Sequence, residues 1–249
     1  MDNRTNNRRF LQNEGWSQWD ILLPDQKKGV PPPEMQKPIP PGAKLIDLES
    51  AYTINRPDMT LFDAIAMRRS FREYDDRPLM LSELSFLLWA TQGLHEIADD
   101  WSHSLRIVPS AGACHPFETY FIAKRVVGLQ PGLYRYLALD HKLYLSCALD
   151  ELMHRAIDDA WLLPDEAVLF IWTVVPYRTE WRYGNLSHKM IAMEAGHICQ
   201  NLYLASMAIG AGTCAIGSFP QDEIDGILAV DGEDEFSIYM ATVGKIDLL

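Results

Sequence analysis

The sequence predicts an α+β fold: a mostly antiparallel sheet with one long helix packed against it. Three observations point there. Residues 167–175 (AVLFIWTVV) are almost wholly apolar yet too short for a typical helix, which suits a central strand buried on both faces. Residues 132–137 and 142–146, separated by Ala138-Leu139-Asp140-His141, have the pattern of a β-hairpin. Residues 188–208 carry the longest helical pattern, with Ile191, Ala195, Ile198, Leu202 and Ala205 along one side.

The remaining elements follow in chain order. Pro24, Pro31, Pro32, Pro33, Pro38, Pro40 and Pro41 place seven of the fifteen prolines within residues 24–41. Such a stretch favours polyproline II and is neither a helix nor a central strand. Residues 1–45 are therefore expected to form an extended arm, and residues 46–249 the folded domain. Trp16, Trp19, Ile21 and Leu22 make the arm hydrophobic enough to pack on the core or on another subunit. Thr60 and Asp63 resemble a capping box opening a helix that ends near Arg69. Ser82 starts a second helix over 83–90, with Gly93 as its stop. Residues 117–123, rich in aromatic and β-branched side chains, predict a strand, and a short helix is expected over 149–157. Gly210 and Gly212 close the long helix; strands at 213–216 and 236–243 then flank a short helix at 221–228.

Composition narrows the function classes. A chain of 249 residues, 48% hydrophobic and 22% charged, is long enough for one sizeable core without requiring two domains. Its net charge of -12 argues against nucleic acid or an anionic membrane as a bulk partner. Cys114, Cys147, Cys199 and Cys214 form no CxxC pair, the N-terminus is polar, and the longest apolar run falls far short of a membrane span. A soluble, cytoplasmic protein is the expectation.

Against that acidic background, Arg68-Arg69-Ser70-Phe71-Arg72 concentrates three cations and a hydroxyl donor in five residues. Arginine presents a rigid fork of donors suited to phosphate; a basic helix end favoured by the helix dipole is the alternative. Pro109-Ser110-Ala111-Gly112-Ala113-Cys114-His115-Pro116 brackets small residues with prolines just before a strand. Such a loop lets a flat ligand approach its backbone N–H groups closely, although a plain tight turn fits as well. Gly217-Ser218 is a spare glycine-serine pair where a strand ends, and the surrounding glycines match neither GxGxxG nor a Walker loop. Tyr183 is a candidate proton donor whose anion Arg182 would stabilise, with ordinary aromatic packing the alternative. Glu151-x-x-His154 and Glu194-x-x-His197 have the spacing of di-iron bundles, but Pro164, an apolar strand and Pro176 interrupt the helices such a site needs. No metal site is expected. No GxSxG is present, and Cys114 beside His115 is only an adjacency in sequence.

Taken in order, the proline-rich arm, Arg68–Arg72, the helix 84–93, Pro109–Pro116, Gly132-Leu133-Tyr134-Arg135-Tyr136, residues 194–204 and residues 212–217 resemble the nitroreductase-like FMN flavoproteins. Within them the likeness is to the SagB-type dehydrogenases, relatives of the azoline oxidases, and it runs from about residue 25 to Lys245. The resemblance implies a nitroreductase-like fold, an intertwined homodimer and FMN at the subunit interface. It implies that Arg68, Arg69, Ser70 and Arg72 hold the phosphate and ribityl chain. Pro109, Ser110, Ala111 and Gly112 would lie against the isoalloxazine ring across the dimer, with Gly217 and Ser218 approaching from the other side. Lys245 is the single candidate for the basic residues that many members carry after the last strand. Where azoline oxidases have a Lys-Tyr pair, this chain has Arg182-Tyr183, and arginine cannot serve as a base. The implied chemistry is ping-pong hydride transfer through flavin N5. Two directions are open: from NAD(P)H to a quinone-, nitro- or other small acceptor, or from an azoline-like substrate. A non-redox flavin-binding or regulatory role is the remaining alternative.

Overall fold

The computed structural model describes residues 8–12, 14–53, 59–99, 102–149 and 165–247. In chain order the strands are β1 (Leu45–Asp47), β2 (Leu79–Met80), β3 (Leu94–Ile97), β4 (Ser104–Arg106), β5 (Phe117–Ala123), β6 (Val126–Val127), β7 (Gly132–Leu137), β8 (Lys142–Ala148), β9 (Val168–Val174), β10 (Ala211–Ile216) and β11 (Phe236–Lys245). The α-helices are α1 (Leu61–Met67), α2 (Leu81–Gln92), α3 (Tyr177–Tyr183), α4 (Ser187–Ala208) and α5 (Gln221–Leu228).

Seven strands form one sheet in the order β1-β8-β7-β5-β9-β11-β10, and every pairing is antiparallel. All residues of β5 and β9 are buried because both faces of the sheet are covered. Side chains alternate between the faces with the period of two that strands impose. Phe121, Phe170 and Trp172 meet Leu87 of α2 and Ile198 and Leu202 of α4 on one face. Tyr120, Ile122, Leu169 and Ile171 meet Ile224, Ile227 and Leu228 of α5 on the other.

Most sequence-derived elements are present, with boundary shifts that have local causes. Helix α1 ends at Met67 rather than near Arg69, and Thr60 caps it by accepting the Asp63 N–H at 3.1 Å. Helix α2 starts at Leu81 because the Glu83 carboxylate takes the Met80 N–H at 2.9 Å. Gly93 stops it without a left-handed turn, at φ -56. A Cβ there would stand 2.4 Å from the Trp89 side chain, so close approach is what requires glycine. Gly212 does not close α4 but lies inside β10. The helix expected over 149–157 falls, beyond Leu149, outside the described residues. Strand β1, the parallel β2–β6 pair, the β3–β4 pair and α3 were not predicted.

The proline-rich segment lies along the fold, tied by buried charge. Glu118 on β5 is 4% exposed and accepts from Arg135 at 3.1 Å, Arg178 at 2.5 Å and the Lys37 N–H at 2.8 Å. The same arginines, with Arg106, donate to carbonyls of the arm: Arg178 to Glu34 at 2.8 Å, Arg106 to Met35 at 2.9 Å, Arg135 to Lys37 at 2.7 Å and Pro38 at 3.1 Å. Lys37 also reaches Glu235 on the neighbouring strand edge.

Burial by itself raises the Glu118 pKa, but the facing Arg178 and Arg135 charges and its hydrogen bonds hold it below the ordinary value. A carboxylate depressed in this way contributes stability that is complete above its unfolded pKa, about 4.3. That contribution is lost as pH falls through the folded value. Glu118→Ala should therefore cost about 3–5 kcal/mol in urea unfolding at neutral pH, since it strands buried guanidinium charges. Glu118→Gln should flatten the acid limb of the stability–pH curve.

Candidate functional site

Two groups of side chains assemble along α4. The first begins where α1 stops. Arg68 leaves the helix in extended conformation (ψ 125), and Ser70 bridges in parallel to Thr213 of β10, with the Phe71 N–H donating to the Thr213 carbonyl at 3.0 Å. Tyr203 of α4 fixes this segment. Its hydroxyl lies 2.9 Å from Ser70 Oγ and accepts the Ala215 N–H at 2.8 Å. The Arg68 guanidinium sits 5.4 Å over the Tyr203 ring and that of Arg69 5.2 Å over Phe71. Residues 69–75 with Ile246 and Asp247 line an open groove of about 510 Å³.

The groove's charge is uneven. Of its three carboxylates, Asp75 and Asp247 are held by Arg77, while Glu73 is exposed and forms no ion pair among the described residues. Among the described residues, no carboxylate pairs with Arg68, Arg69 or Arg72. Arg69, Ser70 and Arg72 are exposed, and Arg68 is half-buried. Lys245 differs: its ammonium donates to Glu83 at 2.5 Å and to the Ile209 carbonyl at 2.7 Å, so it adds no free charge here.

The second group is built on the loop before β5. Pro109 is exposed, and Ser110, Ala111 and Gly112 are half-buried. Glu194 of α4, 5% exposed, accepts the Ala111 N–H at 2.7 Å, and Ser110 Oγ accepts the His115 N–H at 2.9 Å. Gly112 has φ +61, and its carbonyl accepts from Arg182 at 3.2 Å. A Cβ on Gly112 would stand 2.7 Å from Arg182 Cδ and Nε and from the Tyr183 hydroxyl. Arg182 and Tyr183 end α3, which begins at Pro176 and turns off at Gly184 (φ +54). Trp16 and Trp19 of the arm pack on the Tyr183 ring at centroid distances of 6.2 and 5.6 Å.

Protonation in this corner is set chiefly by burial. Burial raises the Tyr183 pKa, with the Arg182 charge opposing it. It raises the Glu194 pKa against the stabilising Ala111 N–H. It pushes the Cys114 thiol up to about 11. At neutral pH the tyrosine and the thiol both carry their protons.

The chain thus brings Arg68–Arg72 together with Tyr203 and β10, and Pro109–Gly112 together with Arg182, Tyr183 and Glu194. Gly217 and Ser218 are exposed beyond the end of β10, the former with only Tyr239 near its Cβ position. Glu194 and Tyr203 are nine residues apart, about 13.5 Å along the helix. Among the described residues no cluster of three or more His, Cys, Asp or Glu could hold a metal. Glu194 serves the loop, and Glu151 and His154 lie outside the described residues. The sequence analysis missed the parts that Glu194 and Tyr203 play in positioning these groups. Glu194 carried a signal: three residues after Ile191 and four before Ile198, it lies on the helix's apolar side, where a carboxylate needs a donor.

The chain belongs to the Nitroreductase family, whose model matches residues 65–245. A nitroreductase-family protein of Methanocaldococcus jannaschii, MJ1384, is 34% identical over 191 residues, covering 76% of this chain and 92% of the relative. The trifolitoxin-processing protein TfxB of Rhizobium leguminosarum is 26% identical over 136 residues, or 52% of this chain and 36% of TfxB. Among solved structures, a nitroreductase-type protein of Ralstonia eutropha superposes with a TM-score of 0.66 at 24% identity, covering 92% of this chain and 96% of that one. The Escherichia coli microcin synthetase McbBCD complex, with truncated pro-MccB17 bound, superposes at 0.59 and 18% identity over 84% of this chain and 77% of that one. These last two show the fold. No helix among the described residues is long and apolar enough to cross a membrane.

Gly112→Ala should displace Arg182 and Tyr183, through both the positive φ and the occupied Cβ position. Urea unfolding should register a loss of about 1–3 kcal/mol.

Proposed function

We propose that the protein is an FMN-dependent oxidoreductase, acting as a homodimer, that takes reducing equivalents from NAD(P)H and delivers them to a quinone- or nitro-type acceptor by a ping-pong cycle. The observation that carries this is the groove at Arg69–Asp75, with Arg68 beside it: three guanidinium groups that form no ion pair among the described residues, against the single unheld carboxylate Glu73 in the lining, in a chain of net charge -12. Charge of that kind fits a phosphate. Gly112 lets Arg182 and Tyr183 pack directly on the loop backbone, which sets both side chains beside the loop proposed to face the ring.

FMN, when bound, supplies two-electron chemistry at its N5 atom. Arg68, Arg69, Ser70 and Arg72 would hold its phosphate and ribityl chain. Pro109, Ser110, Ala111 and Gly112 would lie along the ring, with Gly217 and Ser218 approaching from the other side; Lys245, already paired, fits least well. Tyr183 would donate a proton or hydrogen bond to the acceptor, with Arg182 stabilising negative charge beside it. Dimerisation is supported by the apolar face that α1 leaves open next to Arg68, where Leu61, Phe62 and Ile65 are exposed. Met193 and Gly196 are likewise open on α4. A second reading, a SagB-type dehydrogenase acting on an azoline, draws support from the likeness to TfxB. Arg182 weighs against it, because arginine cannot remove a proton from substrate.

The purified protein should show a flavin spectrum that bleaches on anaerobic addition of NADH or NADPH. A flavin that persists until an azoline peptide is supplied would favour the second reading. Arg69→Ala should weaken FMN binding roughly 10–100-fold, the worth of a charge-assisted hydrogen bond. Tyr183→Phe should retain FMN and lower turnover roughly 100-fold. Full turnover in that variant would remove Tyr183 from the chemistry.

A further inference from the structure

The arm does more than lie on the fold: it clasps α3 along its whole length. Tyr177 donates to Asp25 at 2.9 Å, and Arg178 to the Glu34 carbonyl at 2.8 Å. Trp181 accepts the Gln26 N–H at 2.8 Å through its carbonyl and donates its indole N–H to the Val30 carbonyl at 2.9 Å. Leu22 covers Gly184, where a Cβ would stand 3.6 Å from it. A seven-residue helix has little stability of its own, so the placement of Arg182 and Tyr183 depends on this clasp.

At the head of the clasp two indoles meet the Tyr183 ring. Trp16 and Trp19 are 5.6 Å apart at an interplanar angle of 38°, and they are tilted on Tyr183 at 59° and 35°. Lys27 fixes Trp19 by donating to the carbonyls of Trp19 and Leu22, both at 3.1 Å, with its ammonium 4.5 Å from the Trp19 ring centre. Neither tryptophan belongs to the two apolar cores, and Trp16 is 39% exposed. Two ordered indoles at the surface, held over a tyrosine whose hydroxyl adjoins Gly112, form a wall with an apolar body at the site's edge. Between the arm and the loop lies a separate cavity of about 80 Å³, lined in part by Gln26, Gly112, Cys114, Trp181 and Arg182.

We propose that Trp16 and Trp19 are specificity-determining residues. With Tyr183 they form the surface on which a planar aromatic or heteroaromatic substrate stacks, while Arg182 takes its carbonyl or carboxylate oxygen. The inference rests on the proposed function and adds the substrate's shape class to it.

The test uses the full-length chain loaded with FMN, titrated calorimetrically with 2-naphthoate and with cyclohexanecarboxylate, an acid of equal charge without a π face. The wild type should bind 2-naphthoate about tenfold more tightly, and Trp16→Ala and Trp19→Ala should each erode that preference about 3–10-fold. Trp19→Phe should keep most of it, which guards against a variant that simply fails to fold. In turnover, KM for menadione should rise in the alanine variants while their FMN content stays at the wild-type level. Equal binding of the two acids by the wild type, or equal loss of both in the variants, overturns the inference. A wild-type protein that takes up no FMN overturns the proposed function and this inference with it, and the flavin spectrum recorded before the titration separates that failure from the other.

Discussion

Three buried arginines arranged around one carboxylate hold the arm, and through it the candidate site, in place. Arg106 comes from β4, Arg135 from β7 and Arg178 from α3, and Glu118 supplies the carboxylate that neutralises two of them directly. The cluster therefore carries more cation than anion inside the fold, and desolvated guanidinium groups need further acceptors. Backbone carbonyls of residues 34–38 provide them. Polyproline-like backbone makes no internal hydrogen bonds, so its carbonyls remain free to accept from outside. This is a physical reason for proline-rich sequence here: the arm is a row of unused acceptors matched to a row of buried donors. Because Arg178 sits on the helix that carries Arg182 and Tyr183, arm and candidate site share one set of contacts.

Helix α4 acts as the ruler for what remains. Glu194 at its first half holds the Ala111 N–H, and Tyr203 in its second half holds Ser70 and β10. Both side chains are buried, and both reach from the helix to a connecting segment, Glu194 to the single 3-10 turn at Ala111–Ala113 and Tyr203 to Ser70 as well as to β10. The arginine-lined groove and the glycine loop are thus separate regions spaced by one rigid element, and each is proposed as a half-site. The exposed apolar side of α1 lies beside the first of them. A proposed second subunit covering that side would complete each half-site with residues from its partner.

Legibility in the sequence followed from how each element is held. Strand β9 was readable because an unbroken apolar run needs no partner to announce burial on both faces, and α4 because five apolar residues repeat at helical spacing. Strands β1, β2 and β6 have two or three residues, too few for any period to register. Helix α3 was invisible for a different reason. Its sequence, YRTEWRY, has no apolar stripe because hydrogen bonds to the arm's backbone, not hydrophobic packing, fix it. Arg178 looks like a surface charge in sequence and is 4% exposed in the fold. The arginine cluster at 68–72 was legible because its charge contradicts the chain's overall balance. Glu194 and Tyr203 needed the third dimension, since their partners lie 83 and 133 residues away.

The chemistry of the corner bears on the direction of electron flow. Arg182 is permanently charged, and burial keeps the Tyr183 hydroxyl and the Cys114 thiol protonated at neutral pH. Glu194 is buried with a raised pKa and already accepts the Ala111 N–H, while Glu34 and His103 line the cavity that Gly112, Cys114 and Arg182 share. The side chains that touch Gly112 itself, Arg182 and Tyr183, are therefore hydrogen-bond donors rather than bases. Oxidising an azoline calls for a base to take a proton from the substrate, whereas reducing a quinone or nitro group places negative charge on oxygen. Two donors in contact with Gly112 stabilise the second kind of charge development, which is the physical ground for preferring the reductase among the activities proposed.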